Sequence, residues 1–533
     1  MLRIGSMDQE HRPLHALNRL GLGPRPGDLE TVRRIGVDRW IDQQLDPDSI
    51  PMPPELDAQI ASIRTLHMTP VELFMQFRAP LVKAIKNNPD AKKELRRQTR
   101  VVLEEATQGR IVRAIAGPRQ LQETMTAFWF NHFNVFAGKG LCHLWVGAYE
   151  QEAIRPHTMG RFRDLLGATA KHPAMLFYLD NWQNTAPDAP GRHGKFEGIN
   201  ENYARELMEL HTLGVNGGYT QQDVIALAHI LTGWGIVRRE PRQGFAGTGP
   251  RRFGGLGPLG FRQWRRKRPE AATGAVRTPD GFFFDPRRHD TADKAFLGQK
   301  IPGGGIEEGE HALDILARSP ATANHLSYQL AQYFVADNPP TGLVNRMAAR
   351  YLASDGSIRE VLATMFSSEE FWDRRYYGVK FKTPYEYVIS SVRASGTPVR
   401  NVLPLAGTMA RLGMPLYGCQ TPDGYKNTQE AWLNPDAMMT RLSFATALGV
   451  GRLPLERPMS EFAGGDEPAP GGTPRATAVP APDAHGWMQA PDAAELAMTL
   501  GGMLSARTKA AVEDAPPRLR ASMIIGSPEF MMR

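Results

Sequence analysis

His132, Asp180, Arg205, Glu206, Glu209, His211, His289, Asp290 and Lys294 are the side chains of this sequence whose types could carry acid–base chemistry. A carboxylate can give or take a proton, an imidazole can shuttle one near neutral pH, and Arg or Lys can stabilise a developing anion. Such a set suits hydrolysis or elimination on a polar or polymeric substrate. Glu206, Glu209, His132, His289 and Asp290 are the candidate catalytic groups. Arg205, Lys294 and His211 are candidates for holding a substrate. Asn202, Glu206 and Glu209 follow i, i+4, i+7, which puts an amide and two carboxylates along one side of a helix. The plain alternative is a solvated face. Glu201 with Arg205, and Arg205 with Glu209, are spaced i, i+4, and such pairs stabilise a helix by roughly 0.2–0.5 kcal/mol. On spacing alone the solvated face has the better claim.

Known motifs narrow the chemistry. The sequence has no HExxH, no Walker loop and no GxSxG elbow. Glu206 and Glu209 do not form the Glu-x-x-His pairs of a diiron bundle. Gly255 to Gly260 spells a formal GxGxxG, but no strand precedes it and Pro258 interrupts it, so a dinucleotide fingerprint is rejected. No metal ligand is assigned and the cofactor stays unknown; a divalent metal at a His and carboxylate cluster is a variant of the enzyme reading. The two cysteines, Cys142 and Cys419, are too far apart for a CxxC site and read as buried thiols.

These groups need elements to position them. Tyr203, Leu207, Leu210 and Gly214 recur on one helical face, and Asn216-Gly217-Gly218 turns the chain. Thr220 and Asp223 then form a capping-box start for a second helix that runs towards Trp234. His132 lies in an apolar helical run from Leu121 to Val135, where a lone histidine is commonly a hydrogen-bonded core residue. Asp180 and Asn181 sit where a helix gives way to a loop, a place that Asx residues favour for backbone bonding alone. Asp290 could cap a turn, and Lys294 could simply pair with it. Phe282 to Asp285 reads as a short strand, and Pro384 opens a helix in its first turn.

The segment Asn200 to Leu210, with His211-Thr212-Leu213-Gly214 and Leu231-Thr232-Gly233-Trp234, resembles the signature of the domain of unknown function 1800 family. Trp129-Phe130-Asn131-His132-Phe133, His172 to Asn181, and His289-Asp290 with Lys294 and Leu297-Gly298 match further motifs of that family. The resemblance extends from near His15 to Phe530. It implies a large, mainly helical bacterial protein with no established reaction. It also adds Asn131, Asp180, Asn181, Asn202 and Trp234 as site candidates. Relatives are commonly encoded beside another uncharacterised family, which implies a protein partner. They are often exported. The start of this sequence lacks an apolar signal region, so the expected location is cytoplasmic, or periplasmic if the start is truncated.

The chain has 533 residues, 41% hydrophobic and 22% charged, which places it among globular proteins. The expected fold is mainly α: a large helical domain with long surface loops and few short strands. Residues 1–460 form its body, 461–485 a Pro, Gly and Ala-rich linker, and 486–533 a helical segment packing back. There is no apolar run long enough for a membrane span. A net charge of +7 is mild for this length and implies no specific nucleic-acid binding. The basic loop 238–268 could meet an anionic polymer, although a solvated loop is the plainer reading. His132, Arg205, Glu206 and His289 are expected around one site; the competing arrangement is several local networks closed by backbone groups.

Overall fold

A computed structural model describes residues 4–80, 91–187, 189, 198–237, 274–457 and 488–533. The basic loop 238–268 and the linker 461–485 lie outside the described residues, as does part of the basic run near Lys92. The fold is mainly α, with five short strands in two small sheets among the described residues. One hydrophobic cluster runs from Leu14 to Met531 and includes buried side chains from nearly every helix. Among the described residues no helix is long and apolar enough to cross a membrane.

The Glu201–Glu209 helix starts where Asn200 accepts a bond from the Asn202 amide at 3.0 Å. Tyr203, Ala204, Leu207 and Met208 face inward. Burying Leu207 or Met208 is worth roughly 1.5–3 kcal/mol apiece. The helix is shorter than the apolar stripe predicts, because Thr212 intervenes. Its hydroxyl donates to the Leu207 carbonyl at 2.7 Å and occupies the acceptor that a further turn would use. Gly214 then turns the chain with φ +81°, close against His325.

The Gln221–Ile230 helix opens with the expected capping box between Thr220 and Asp223. It packs on the Glu201–Glu209 helix and leads directly into β1 (Trp234–Ile236). β2 (Val276–Arg277) and β1 both pair antiparallel with β3 (Phe282–Phe284), with Trp234 opposite Phe284. Trp234 is fully buried, and Gly309 lets the next helix approach it; a Cβ there would lie 2.3 Å from the indole. β4 (Lys294–Phe296) and β5 (Gln299–Ile301) form a hairpin. Its turn residues Leu297 and Gly298 both have positive φ, the handedness a two-residue hairpin favours.

The Pro384–Ser395 helix carries Pro in its first turn behind a Thr383–Glu386 capping box. The Pro435–Gly449 and Pro517–Ile525 helices pack together, and Tyr387 donates to Ile525 of the latter. Cys142 and Cys419 are free and buried.

Candidate active site around Glu206

Glu206 sits mid-helix, half-buried, and its carboxylate makes no hydrogen bond or ion pair among the described residues. Burial raises its pKa; Glu209 and Asp423 add to the rise, and Arg205 works against it. A carboxyl held this way keeps its proton to higher pH than an ordinary glutamate. Glu209, one turn on, accepts from the Tyr219 hydroxyl at 3.3 Å. Arg205 turns away from Glu209, to Glu201 at 3.1 Å and Gln221 at 2.8 Å. It therefore lies on the outer side of the helix.

Asp423, in the loop after Tyr417, lies near enough for its charge to raise the Glu206 pKa. Burial opposes its charge, but hydrogen bonds from Lys426 and Thr421 prevail and lower its pKa. The loop is pinned from several sides. Asn131 donates to Tyr425 O at 2.8 Å and accepts from Tyr425 N at 2.7 Å. Asn134 donates to Cys419 O at 3.0 Å and to Thr421 O at 2.8 Å. The Tyr178 hydroxyl donates to Gln420 O at 2.7 Å. Burial raises the Tyr178 pKa, and the Glu206 and Asp423 carboxylates add to the rise. Gly424 passes so close to Asn131 that a Cβ would meet its carbonyl oxygen at 2.2 Å, and its φ is +69°. Behind the loop, Asn131, Tyr417, Tyr425 and Arg110 line a cavity of about 40 Å³, room for a water or two.

The asparagines brace the site's floor. Asn181 donates to Leu231 O at 3.3 Å and Trp234 O at 3.2 Å. Asn184 donates to Ala228 O at 2.8 Å and accepts from Asn200 N at 2.9 Å. Asn202 donates to Leu179 O at 3.2 Å. Asp180, left-handed at φ 62°, pairs with Lys139 at 2.7 Å. Buried carbonyls outside helices need donors, and these amides supply them.

The structure divides the remaining candidates into two other networks. His132 Nδ1 faces Gln329 Oε1 at 2.8 Å and its Nε2 faces His211 O at 3.1 Å. Burial and the neighbouring His325 push its pKa down to about 3, so the ring is neutral. With Nε2–H donating to the carbonyl, Nδ1 must accept, which requires the Gln329 amide to present its NH₂. His211 is buried against His132, and neither of its ring nitrogens has a hydrogen-bond partner among the described residues.

His289 belongs elsewhere. Its Nε2 lies 3.0 Å from Glu308 Oε1, and its Nδ1 lies 2.9 Å from Thr232 O. Lys294 donates to Glu308 Oε2 at 2.6 Å and to the Asp290 carbonyl. The Asp290 carboxylate lies 2.6 Å from His229 Nδ1. No hydrogen bond, ion pair or ring contact among the described residues joins His289 to His132, Arg205 or Glu206. The contacts of His132 and those of His289 form separate networks. Among the described residues no group of three or more His, Cys, Asp or Glu side chains is arranged to hold a metal ion.

Over residues 15–532 the chain matches a family described as "Protein of unknown function (DUF1800)". The chain belongs to this family. No curated protein and no solved structure matches it. Within this family member, Asp423, Tyr178, Glu308, His229 and Gln329 are contact residues that sequence reading passed over.

Proposed function

We propose that this DUF1800 protein is an acid–base enzyme in which Glu206 and Asp423 cleave a polar, polymeric substrate by hydrolysis or elimination. The observation that carries this reading is the opposite bias of two neighbouring carboxyl groups. Glu206 is held towards its protonated form and Asp423 towards its ionised form. Two titratable groups whose environments drive their pKa values apart can serve as acid and base at one pH. Glu206 would protonate the leaving group. Asp423 would activate water, or abstract a proton where the step is an elimination. Glu209 and Tyr178 flank the pair, and Asn131 holds the loop that presents Asp423.

The test is depolymerisation of a panel of soluble polysaccharides and polyuronates. New reducing ends report hydrolysis, and unsaturated ends absorbing in the ultraviolet report elimination. Cleavage by the parent, lost in Glu206→Gln and Asp423→Asn with the fold retained, supports the proposal. Equal cleavage by Glu206→Gln removes that residue from the mechanism.

A second reading is a non-catalytic helical scaffold that acts with a partner protein. The closure of the His289, Glu308 and Lys294 network favours it, since every charge there already has a partner inside the chain. The two readings differ at Glu206, where a scaffold gains nothing from an unpartnered, half-buried carboxyl group.

A further inference from the structure

We propose that the cavity lined by Arg161, Arg318 and Asp355 binds a phosphate dianion, which displaces the Asp355 carboxylate from the two guanidiniums. The cavity has a volume of about 260 Å³, and Arg163, Asp164 and Leu352 also line it. Three elements meet there. Arg161 precedes the Phe162–Lys171 helix, and Arg318 follows the Ile306–Ala317 helix. Asp355 lies in the turn between the Thr341–Ala353 and Ile358–Phe366 helices. Hydrogen bonds hold these elements together. Phe162 N donates to Gly356 O at 2.8 Å and Ile358 N to Gly160 O at 2.9 Å, while the Tyr351 hydroxyl donates to Ala317 O at 2.7 Å. Asp355 has φ +51°, a left-handed conformation that aspartate tolerates better than most side chains. Its carboxylate is shared: Arg161 Nη1 donates to Oδ2 at 2.9 Å, and Arg318 Nε donates to Oδ1 at 3.5 Å. All three side chains are exposed, so a ligand reaches them from solvent.

Much of both guanidiniums is unused. Among the described residues, Nε and Nη2 of Arg161 and both Nη atoms of Arg318 donate to no group of the chain. Asp355 takes one donor from each fork, although a guanidinium can offer two in parallel. A carboxylate brings two oxygens and one charge. A phosphate dianion brings at least three oxygens and two charges, enough to accept from both forks in pairs. Arg163 forms a fixed wall beside them, with Nε bonded to Asp314 at 2.5 Å and Nη2 to Glu310 at 2.8 Å. Asp164 opposes an anion, so binding rests on direct guanidinium contacts rather than on net charge. Asp355 is tethered beside the arginines and competes at a high effective concentration. A free monocarboxylate therefore gains nothing by replacing it; the ligand must carry more charge and more acceptor oxygens.

The test is equilibrium dialysis of the full chain against radiolabelled inorganic phosphate at constant ionic strength and about pH 8, where phosphate is mostly doubly charged. One phosphate should bind per chain, and acetate should not displace it. Arg161→Gln and Arg318→Gln should each weaken binding about tenfold or more. Asp355→Asn removes the internal competitor and keeps a residue that tolerates positive φ, so it should tighten binding about fivefold. Arg346→Gln and Glu370→Gln make the same charge changes at a pair outside the cavity and should leave binding unchanged. No saturable binding by the parent, displacement by acetate, weaker binding by Asp355→Asn, or equal changes in the two control variants would overturn the proposal. In that event Arg161, Arg318 and Asp355 form a surface ion-pair cluster and nothing more.

Discussion

The Glu206 site and the His289 network are built from the same residue types and are held in opposite ways. Glu308 is buried and saturated: His289, Lys294 and the Gly304 amide all point at it. Burial opposes its charge, but these hydrogen bonds prevail and lower its pKa. Glu206 is half-buried and unpartnered, and its pKa rises. A buried carboxylate held by donors at both oxygens fixes structure and has little capacity left for a substrate. A carboxyl group that burial has made reluctant to ionise, and that keeps its oxygens free, is suited to proton transfer. Histidine beside aspartate is therefore a weaker sign of chemistry here than a glutamate without a partner.

The comparison breaks most visibly at Glu308. Glu308→Ala should leave buried Lys294 with only the Asp290 carboxylate, 3.9 Å away, and His289 without its acceptor, and cost about 3–5 kcal/mol. Chemical denaturation measures this; a loss below 1 kcal/mol would mean that the network is not closed around Glu308. Asn184→Leu comes next. It strips the Ala228 carbonyl of its donor and the Asn200 amide of its acceptor, with an expected loss of about 2 kcal/mol.

A smaller effect sharpens the contrast through pH. Between the ordinary glutamate pKa and Glu206's raised value, the folded chain holds a proton that the unfolded chain has released. Stability from this group therefore falls as pH rises through that window. Glu206→Gln removes the fall, so the variant should match the parent in acid and be the more stable at neutral pH. Asp423→Asn should do the reverse, because a lowered pKa contributes stability above the ordinary aspartate value that disappears as pH falls through the folded one. Denaturation midpoints at acid and neutral pH test both signs; a parallel response of the two variants would contradict the opposed bias. Smallest of all, Arg205→Ala breaks a largely exposed pair and should change stability by less than about 0.5 kcal/mol.

Much of this arrangement was legible in short stretches of sequence. The Thr220–Asp223 box and Pro384 act within one helical turn, so their residue types announce their geometry. The mainly helical fold follows from the apolar spacing. The end of the Glu201–Glu209 helix was not legible, because a threonine hydroxyl taking a carbonyl leaves no mark in hydrophobic periodicity. Partner choice was harder still. His289 chooses Glu308, His132 chooses Gln329, and the charge of Asp423 acts on Glu206 across more than two hundred residues. Each pairing depends on how separate helices dock, and nothing local encodes it. Arg205 illustrates the limit, since Glu201 and Glu209 are equally spaced from it and only the nearby Gln221 decides between them.

The central claim is that Glu206 and Asp423 are biased in opposite directions. Titration of carbon-13-labelled side-chain carboxyl groups, assigned by the resonances missing in Glu206→Gln and Asp423→Asn, tests it without any substrate. The Glu206 resonance should titrate above the ordinary glutamate value and the Asp423 resonance below the ordinary aspartate value. A Glu206 that titrates at or below the ordinary glutamate value would contradict the account.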